Sequence, residues 1–426
     1  MLGKKKALIA MSGGVDSSVA AYLMSQEGYA CVGAMMKLLG EKAEGRAGSG
    51  GFGEQALDGA DSPSAHNAAS PSAPNAANPS ALGAANPNAP GAANPNAPKA
   101  ASPSAPGAAN SNARESKACC TLDDAEDARA VAHRLGMPFY VFNMSDLFDR
   151  EVIGRFVEAY QTGRTPNPCI ACNRFMKFGH LIRKADQIGQ EYLATGHYVR
   201  TEYDKGSGRH LLLKGVDETK DQSYVLYALT QQQLGRAVFP LGGLRKAHVR
   251  EIAQELGFVN AKKRESQDIC FVADGDYAGF LKSYTGCEER CGQFVDAAGV
   301  VLGQHQGILH YTIGQRKGLG LAGPAPHYVC DIIPETDTVV VGEERDLYTD
   351  TLVAHDINLI PFERLDAPLR VCAKTRYKQK EQPATLVQLD EDTIQVVFDE
   401  PQRAIAKGQA VVAYLGEMVI GGGTIA

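Results

Sequence analysis

The residues of this sequence best suited to chemistry are three cysteines and one glycine-rich loop. The string Ser12-Gly13-Gly14-Val15-Asp16-Ser17-Ser18 joins a short apolar run to a helical pattern. Its glycines let backbone approach an anion, and a helix N-terminus adds unbonded N–H groups and a favourable dipole. No Gly-Lys-Ser/Thr follows, so this is not the Walker pattern. Farther on, Thr165-Pro166-Asn167-Pro168-Cys169-Ile170-Ala171-Cys172-Asn173 sets a Cys-x-x-Cys pair in a proline-stiffened turn before a helix. A thiol near a helix N-terminus shifts toward thiolate, the nucleophilic form. Cys270, in Ile269-Cys270-Phe271, follows the basic run Lys262-Lys263-Arg264. The blander reading makes these thiols small core residues. A zinc site would need a second Cys-x-x-Cys or a Cys-x-x-His, and neither is present, although Cys119-Cys120 could serve as outside ligands. Cys31, Cys287, Cys291, Cys330 and Cys372 take the structural reading.

The elements that must position these groups alternate at first. Strand patterns at 6–10, 30–36, 139–143 and 192–195 interleave with helical patterns at 17–27, 123–135, 146–160 and 175–188. Such alternation predicts a parallel sheet covered on both faces. From about 215 to 287 the pattern is mostly helical, notably 248–256 and 277–284. From 288 onward short β-rich runs separated by turns, at 328–333, 338–341, 370–374, 384–389, 393–398 and 410–415, predict an antiparallel barrel. Three domains follow, 1–214, 215–287 and 288–426. Residues 41–117 hold a tract of Ala, Asn, Pro, Ser and Gly in which Gly-Ala-Ala-Asn-Pro-Asn-Ala-Pro occurs twice. So little apolar surface cannot offset the entropy of ordering, so a disordered insertion is expected there.

Composition narrows the setting. With 426 residues, 44% hydrophobic and 22% charged, the chain has ordinary globular composition. No run approaches the roughly 18 to 20 apolar residues of a membrane span. The apolar run after Lys4-Lys5-Lys6 is too short for a signal-peptide core, so a cytoplasmic protein without a membrane partner is expected. Ten cysteines are then thiols, ligands or catalysts rather than a disulfide framework. A net charge of −6 excludes a uniformly basic nucleic-acid coat but not a local basic face.

The loop resembles the pyrophosphate loop of enzymes that adenylate a substrate, a class including ammonia-using synthetases and tRNA-thiolating enzymes. Further strings choose between them: 165–168, Cys172-Asn173, 194–198, 220–224, 239–242, 269–271, 303–307, 314–320, 374–377 and 421–423. In that order, across the whole chain apart from the insertion, they resemble the tRNA-specific 2-thiouridylase (MnmA/TrmU) family. An ammonia-using synthetase is the rival, but it has no use for two separated reactive cysteines and usually brings a glutaminase or a domain for its own substrate.

The resemblance implies an α/β nucleotide-binding domain of the PP-loop ATP pyrophosphatase type, a small mostly helical central domain and a C-terminal antiparallel β-barrel. It implies ATP-dependent 2-thiolation of the wobble uridine in tRNAs for lysine, glutamate and glutamine. ATP, with magnesium, would be held by Ala10, Met11, Ser12, Gly13, Gly14, Val15, Asp16 and Ser17, completed by Met36 and Gly196. Cys270 would carry a persulfide and Cys172 would be the second catalytic thiol, the pair forming a transient disulfide. tRNA contacts would come from Asn167, Pro168, Cys169, His197, Lys220, Asp221, Gln222, Arg376, Tyr377 and Gln409. A sulfur-donating protein and a reductant are implied partners. Many family members have Asp where this chain has Cys169, which puts the family's acid/base assignment in doubt here. A second reading gives Cys169, Cys172 and Cys270 to an iron–sulfur cluster with one open iron.

Overall fold

The computed structural model describes residues 4–39, 121–264, 269–272, 275–286, 290–323 and 325–426. The expected disordered insertion, with Cys119, Cys120 and Cys287, lies outside the described residues. Strands β1 (Lys6–Ala10), β2 (Ala30–Lys37), β3 (Phe139–Asn143), β4 (Tyr192–Ala194), β5 (Val199–Asp204), β6 (Arg209–Lys214) and β7 (Ala237–Val238) come first. Of these, five make a parallel sheet in the order β3-β2-β1-β4-β7. The chain runs outward from β1 through β2 to β3, then returns to place β4 on the other side of β1. That reversal makes the carboxyl ends of β1 and β4 the place where an open α/β sheet forms its ligand crevice.

Both faces of the sheet are covered, as period-two alternation along β1 shows. Ala7 and Ile9 face a core with helices α1 (Val15–Gln26) and α2 (Leu122–Arg134). Leu8 faces a second core with helices α3 (145–161) and α4 (168–187). Thr121 caps α2, accepting from the Asp124 N–H while Asp124 accepts from the Thr121 N–H. The described residues between 215 and 286 share these two cores. Helix α5 (Lys246–Glu255) packs Val249 and Ala253 into the first, and helix α6 (Tyr277–Thr285) packs Leu281 into the second.

The β-rich residues after 290 form two bodies. Strands β8 (Gly292–Val295), β9 (Val301–His305), β10 (Tyr328–Ile333) and β11 (Thr338–Gly342) make a small sheet in the order β10-β11-β8-β9 around Phe294, Val329 and Val339. Strands β12 (Tyr348–Leu359), β13 (Leu369–Lys374), β14 (Gln382–Gln388), β15 (Ile394–Arg403), β16 (Ala410–Leu415) and β17 (Met418–Ile425) follow. Consecutive antiparallel pairings run β12-β15-β14-β13-β16-β17, and β17 pairs back onto β12 to close a barrel without an edge. Strand β16 is buried on both faces. Val411 and Ala413 fill the barrel, while Ala410, Val412 and Tyr414 join the core beneath the parallel sheet. The hairpin of β5 and β6 extends this sheet through Met418 opposite Leu213.

Candidate nucleotide and thiol site

The loop after β1 is built by close contacts that exclude side chains. Gly13 has φ +74°, and a Cβ there would stand 2.3 Å from the Asp124 carbonyl oxygen. A left-handed backbone and a missing Cβ are both required. Gly14 is the N-cap of α1, and the Ser17 and Ser18 hydroxyls donate to its carbonyl at 3.0 Å. Ser17 also accepts from the Ser12 N–H at 3.2 Å. The Met11 N–H donates to Ala34, and Met36 is buried at the end of β2. Gly196, in the loop after β4, lies against the N-terminus of α1, where a Cβ would meet the Ser17 nitrogen at 2.8 Å. The two loops therefore flank the crevice at the carboxyl ends of β1 and β4. Gly13→Ala is expected to destabilise the fold by about 2 kcal/mol or more and to remove stabilisation by ATP. Thermal melts with and without ATP check this; an unchanged melting temperature and an unchanged ATP shift would refute it.

Four side chains to which the sequence assigns no role, Lys246, Tyr198, Asn260 and Lys263, support the loop and the helix beside it. Lys246 reaches both oxygens of Asp16 at 2.6 and 2.7 Å, and the Tyr198 hydroxyl donates to Asp16 at 2.7 Å. Asn260, 2% exposed, donates to the Gly13 carbonyl and the Ser18 hydroxyl, both at 2.9 Å. Lys263, from the basic run before Cys270, pairs with Asp124 and Asp127 at 2.7 and 2.6 Å. These pairings lower the Asp124 carboxyl below its usual value against the opposing effect of its burial. The position of Lys246 in the first turn of a helix is the one local signal available; Asn260 has none.

The thiol turn is equally defined. Asn167 caps α4 by accepting from the Cys169 N–H at 3.1 Å, and Pro168 occupies the first helical position. From Cys172 to His180 the helix widens to i→i+5 bonding, a geometry common at functional sites. Gln409 does not project from the barrel. It donates to the Thr165 carbonyl at 2.9 Å, and the Thr165 N–H donates to Lys407 at 2.7 Å, so the barrel holds the turn. Cys169 is exposed, whereas Cys172 and Cys270 are half-buried, all three as thiols. Cys172 and Cys270 both pack on the rim of the core beneath the sheet. Phe271 anchors Cys270 through ring contacts with Phe148, Phe156 and Phe280 at 5.8, 5.2 and 5.2 Å.

The residues expected to meet RNA are partly exposed and partly structural. Tyr377 is 38% exposed, and its hydroxyl donates to the Asp221 carbonyl at 3.1 Å. Burial, then the charges of Asp221 and Cys169, push its phenol up to about 12. The Asp221 carboxylate accepts from the Gly215 and Ser223 N–H groups and the Ser223 hydroxyl. Gln222 accepts from the Tyr198 N–H at 3.0 Å, and Lys220 closes the turn through its N–H to the Asp217 carbonyl. Arg376 is turned inward, donating to the Ala404 carbonyl, and its burial lowers its pKa. Lys374 is buried against the rings of Tyr224 and Tyr414. His197 is 7% exposed.

Magnesium takes one or two carboxylates with phosphate oxygens, and Asp16 is the carboxylate this loop offers. Among the described residues, no group of three or more His, Cys, Asp or Glu side chains is placed to hold a metal ion. Cys169, Cys172 and Cys270 as they stand are thus not gathered into a ligand set for an iron–sulfur cluster. Among the described residues no helix is long and apolar enough to cross a membrane.

Comparison with known proteins covers the whole chain. Residues 5–61 and 107–274 match the model of a tRNA methyl transferase HUP domain. Residues 278–343 match a tRNA methyl transferase PRC-barrel domain, and 349–425 an aminomethyltransferase β-barrel domain. The chain is 44% identical over 425 residues to the tRNA-specific 2-thiouridylase MnmA of Carboxydothermus hydrogenoformans, covering 100% of this chain and 98% of that protein. It is 43% identical to the protein of the same name from Clostridioides difficile, covering 100% and 99%. The Acetivibrio thermocellus protein of that name is 41% identical, with 100% of each chain covered.

Proposed function

Because the chain belongs to the tRNA-specific 2-thiouridylase MnmA family, we propose that it replaces the 2-oxygen of the wobble uridine in tRNA with sulfur, using ATP to activate that oxygen. One observation carries the reading. Hydrogen bonds lead from Asp16 in the anion loop to Tyr198, from the Tyr198 N–H to Gln222, from the Val225 N–H to the Gln222 carbonyl, and from the Asn173 amide, next to Cys172, to the Val225 carbonyl. This linkage supports a single crevice served by nucleotide loop and thiol turn.

The chemistry suits that arrangement. A carbonyl oxygen is a poor leaving group until AMP is transferred to it. Pyrophosphate would depart toward the N-terminus of α1, where backbone donors stabilise its charge. The uridine must leave the anticodon stack to reach the crevice, and exposed Tyr377 offers a stacking face for it. Cys270 would deliver persulfide sulfur to the activated carbon. Cys172 would attack the resulting linkage, leaving a Cys172–Cys270 disulfide for a reductant to open. Substrates are the tRNAs for lysine, glutamate and glutamine, and the sulfur comes from a donor protein.

Anaerobic thiolation of unmodified glutamate tRNA, with ATP and a persulfide donor, tests this by mass spectrometry of 2-thiouridine. Product is expected from enzyme free of iron. Cys169→Asp is expected to stay within about threefold of the parent, since a carboxylate serves proton transfer at least as well as a thiol. Product only after cluster reconstitution, with Cys169→Asp inactive, would retire the two-cysteine route.

A further inference from the structure

Lys177 lies on α4 five residues beyond Cys172, inside the widened segment. In an ordinary α-helix, at about 3.6 residues per turn, five positions would turn the two side chains roughly 140° apart. The i→i+5 ladder instead brings residue 177 about one turn above Cys172, on the same side. The Lys177 amine lies 3.3 Å from His197 Nε2, and His197 Nδ1 lies 2.7 Å from the Thr195 hydroxyl.

That contact fixes the state of the imidazole. An ammonium has only donors, so Nε2 accepts and Nδ1–H donates to Thr195. Burial between Phe178 and Phe239, then the Lys177 charge, hold His197 well below its ordinary pKa and hence neutral. Lys177 is itself half-buried, and among the described residues no carboxylate forms an ion pair with it. A partly desolvated cation whose one described partner is a neutral ring has lost hydration that an anion would restore. Its location names the anion. His197 follows Gly196, which lies against the N-terminus of α1, in the loop that flanks the crevice opposite residues 11–14. Lys177 therefore stands between the phosphate loop and the thiol face of α4.

We propose that Lys177 is a catalytic residue that donates to the non-bridging oxygens of the α-phosphate while the uridine is adenylated, and that His197 is the positioning residue that aims it. The inference rests on the adenylation step proposed above. In that step the uridine 2-oxygen forms a bond to the α-phosphorus, the bond to the bridging oxygen breaks, and pyrophosphate leaves with the electron pair. The N3 proton is released to solvent. When sulfur later bonds to carbon 2, the carbon–oxygen bond breaks and AMP leaves with its electrons. Lys177 stays protonated throughout and stabilises the phosphate charge in both steps.

The test uses the full-length enzyme carrying Cys270→Ala, so that sulfur transfer does not follow, and reads tRNA-dependent pyrophosphate release in a single turnover. Lys177→Met is expected to slow release by about 10²- to 10³-fold, with tRNA affinity and melting temperature close to those of the Cys270→Ala enzyme. Lys177→Arg should keep part of the rate, and added ethylamine should restore part of it to Lys177→Ala. His197→Gln, which keeps an acceptor for the amine, should retain more activity than His197→Phe. Unchanged release by Lys177→Met overturns the proposal, as does a loss that neither arginine nor ethylamine restores. No pyrophosphate from the unsubstituted enzyme with tRNA and ATP would instead be a failure of the adenylation reading.

Discussion

Cys270→Ala is expected to lower tRNA thiolation by about three orders of magnitude or more while leaving tRNA-dependent pyrophosphate release within about twofold of the parent. The split follows from where the residue sits. Cys270 is on the rim of the core beneath the sheet, held there by Phe271 among Phe148, Phe156 and Phe280. None of the contacts described above for the phosphate loop involves it. Replacing its sulfur with hydrogen removes little packing, so the fold and the adenylation step should survive. Cys172→Ala should lose thiolation comparably, because the proposed route needs both thiols. The Cys172–Cys270 disulfide, read by intact mass after one turnover without reductant, should be absent from either variant. Thiolation by Cys270→Ala at even a tenth of the parent rate would rule the cysteine out as sulfur carrier.

Lys246→Met is expected to have the opposite signature. Lys246 is 8% exposed, and its amine donates to both oxygens of the Asp16 carboxylate in the first turn of α1. Removing one member of a largely buried pair leaves the other charge undercompensated, here with the Tyr198 hydroxyl as its remaining described partner. Asp16 and the loop around it should lose their set position. Pyrophosphate release should therefore fall by about 10²-fold or more. Thiolation should fall in proportion, while a persulfide loaded onto Cys270 by a donor should still form. Gel-shift detection of that persulfide, run beside a pyrophosphate assay, separates the two functions. If the persulfide vanished and pyrophosphate release did not, the ion pair would have no part in holding the nucleotide site.

Much of this architecture is legible because period and capping are local. The patterns at 6–10, 139–143, 328–333 and 410–415 coincide with β1, β3, β10 and β16. Thr121 caps α2 as its sequence context indicates. What local pattern misses is decided by close approach. Gly421-Gly422-Gly423 looks like a loop, yet it lies within β17. There a Cβ on Gly421 would stand 2.2 Å from the Asn358 carbonyl oxygen, and one on Gly422 2.2 Å from that of Val411. Glycine is present because β12 and β16 crowd β17 from either side, which no single-segment pattern reveals.

The same limit applies at the site. The residues of the loop and the thiol turn stand out by type and spacing. The assistance of Lys246 and Asn260 depends on contacts spanning more than 200 residues. His197 and Gln409 stand out only through family resemblance, and their neighbours show what each holds in place: Lys177 in one case, the Thr165 carbonyl in the other.

The closing strand of the barrel also has a consequence for biosynthesis. Strand β17 supplies partners for β12, β16 and β6 at once. Strands β5 and β6 leave the ribosome long before that partner is made. The core beneath the parallel sheet likewise waits for Ala410, Val412 and Tyr414 of β16. Domains that fold on emergence leave little apolar surface waiting; this one holds a sheet edge and part of a core open while the intervening strands are synthesised. That interval is when the nascent enzyme is most exposed to aggregation and most in need of a chaperone.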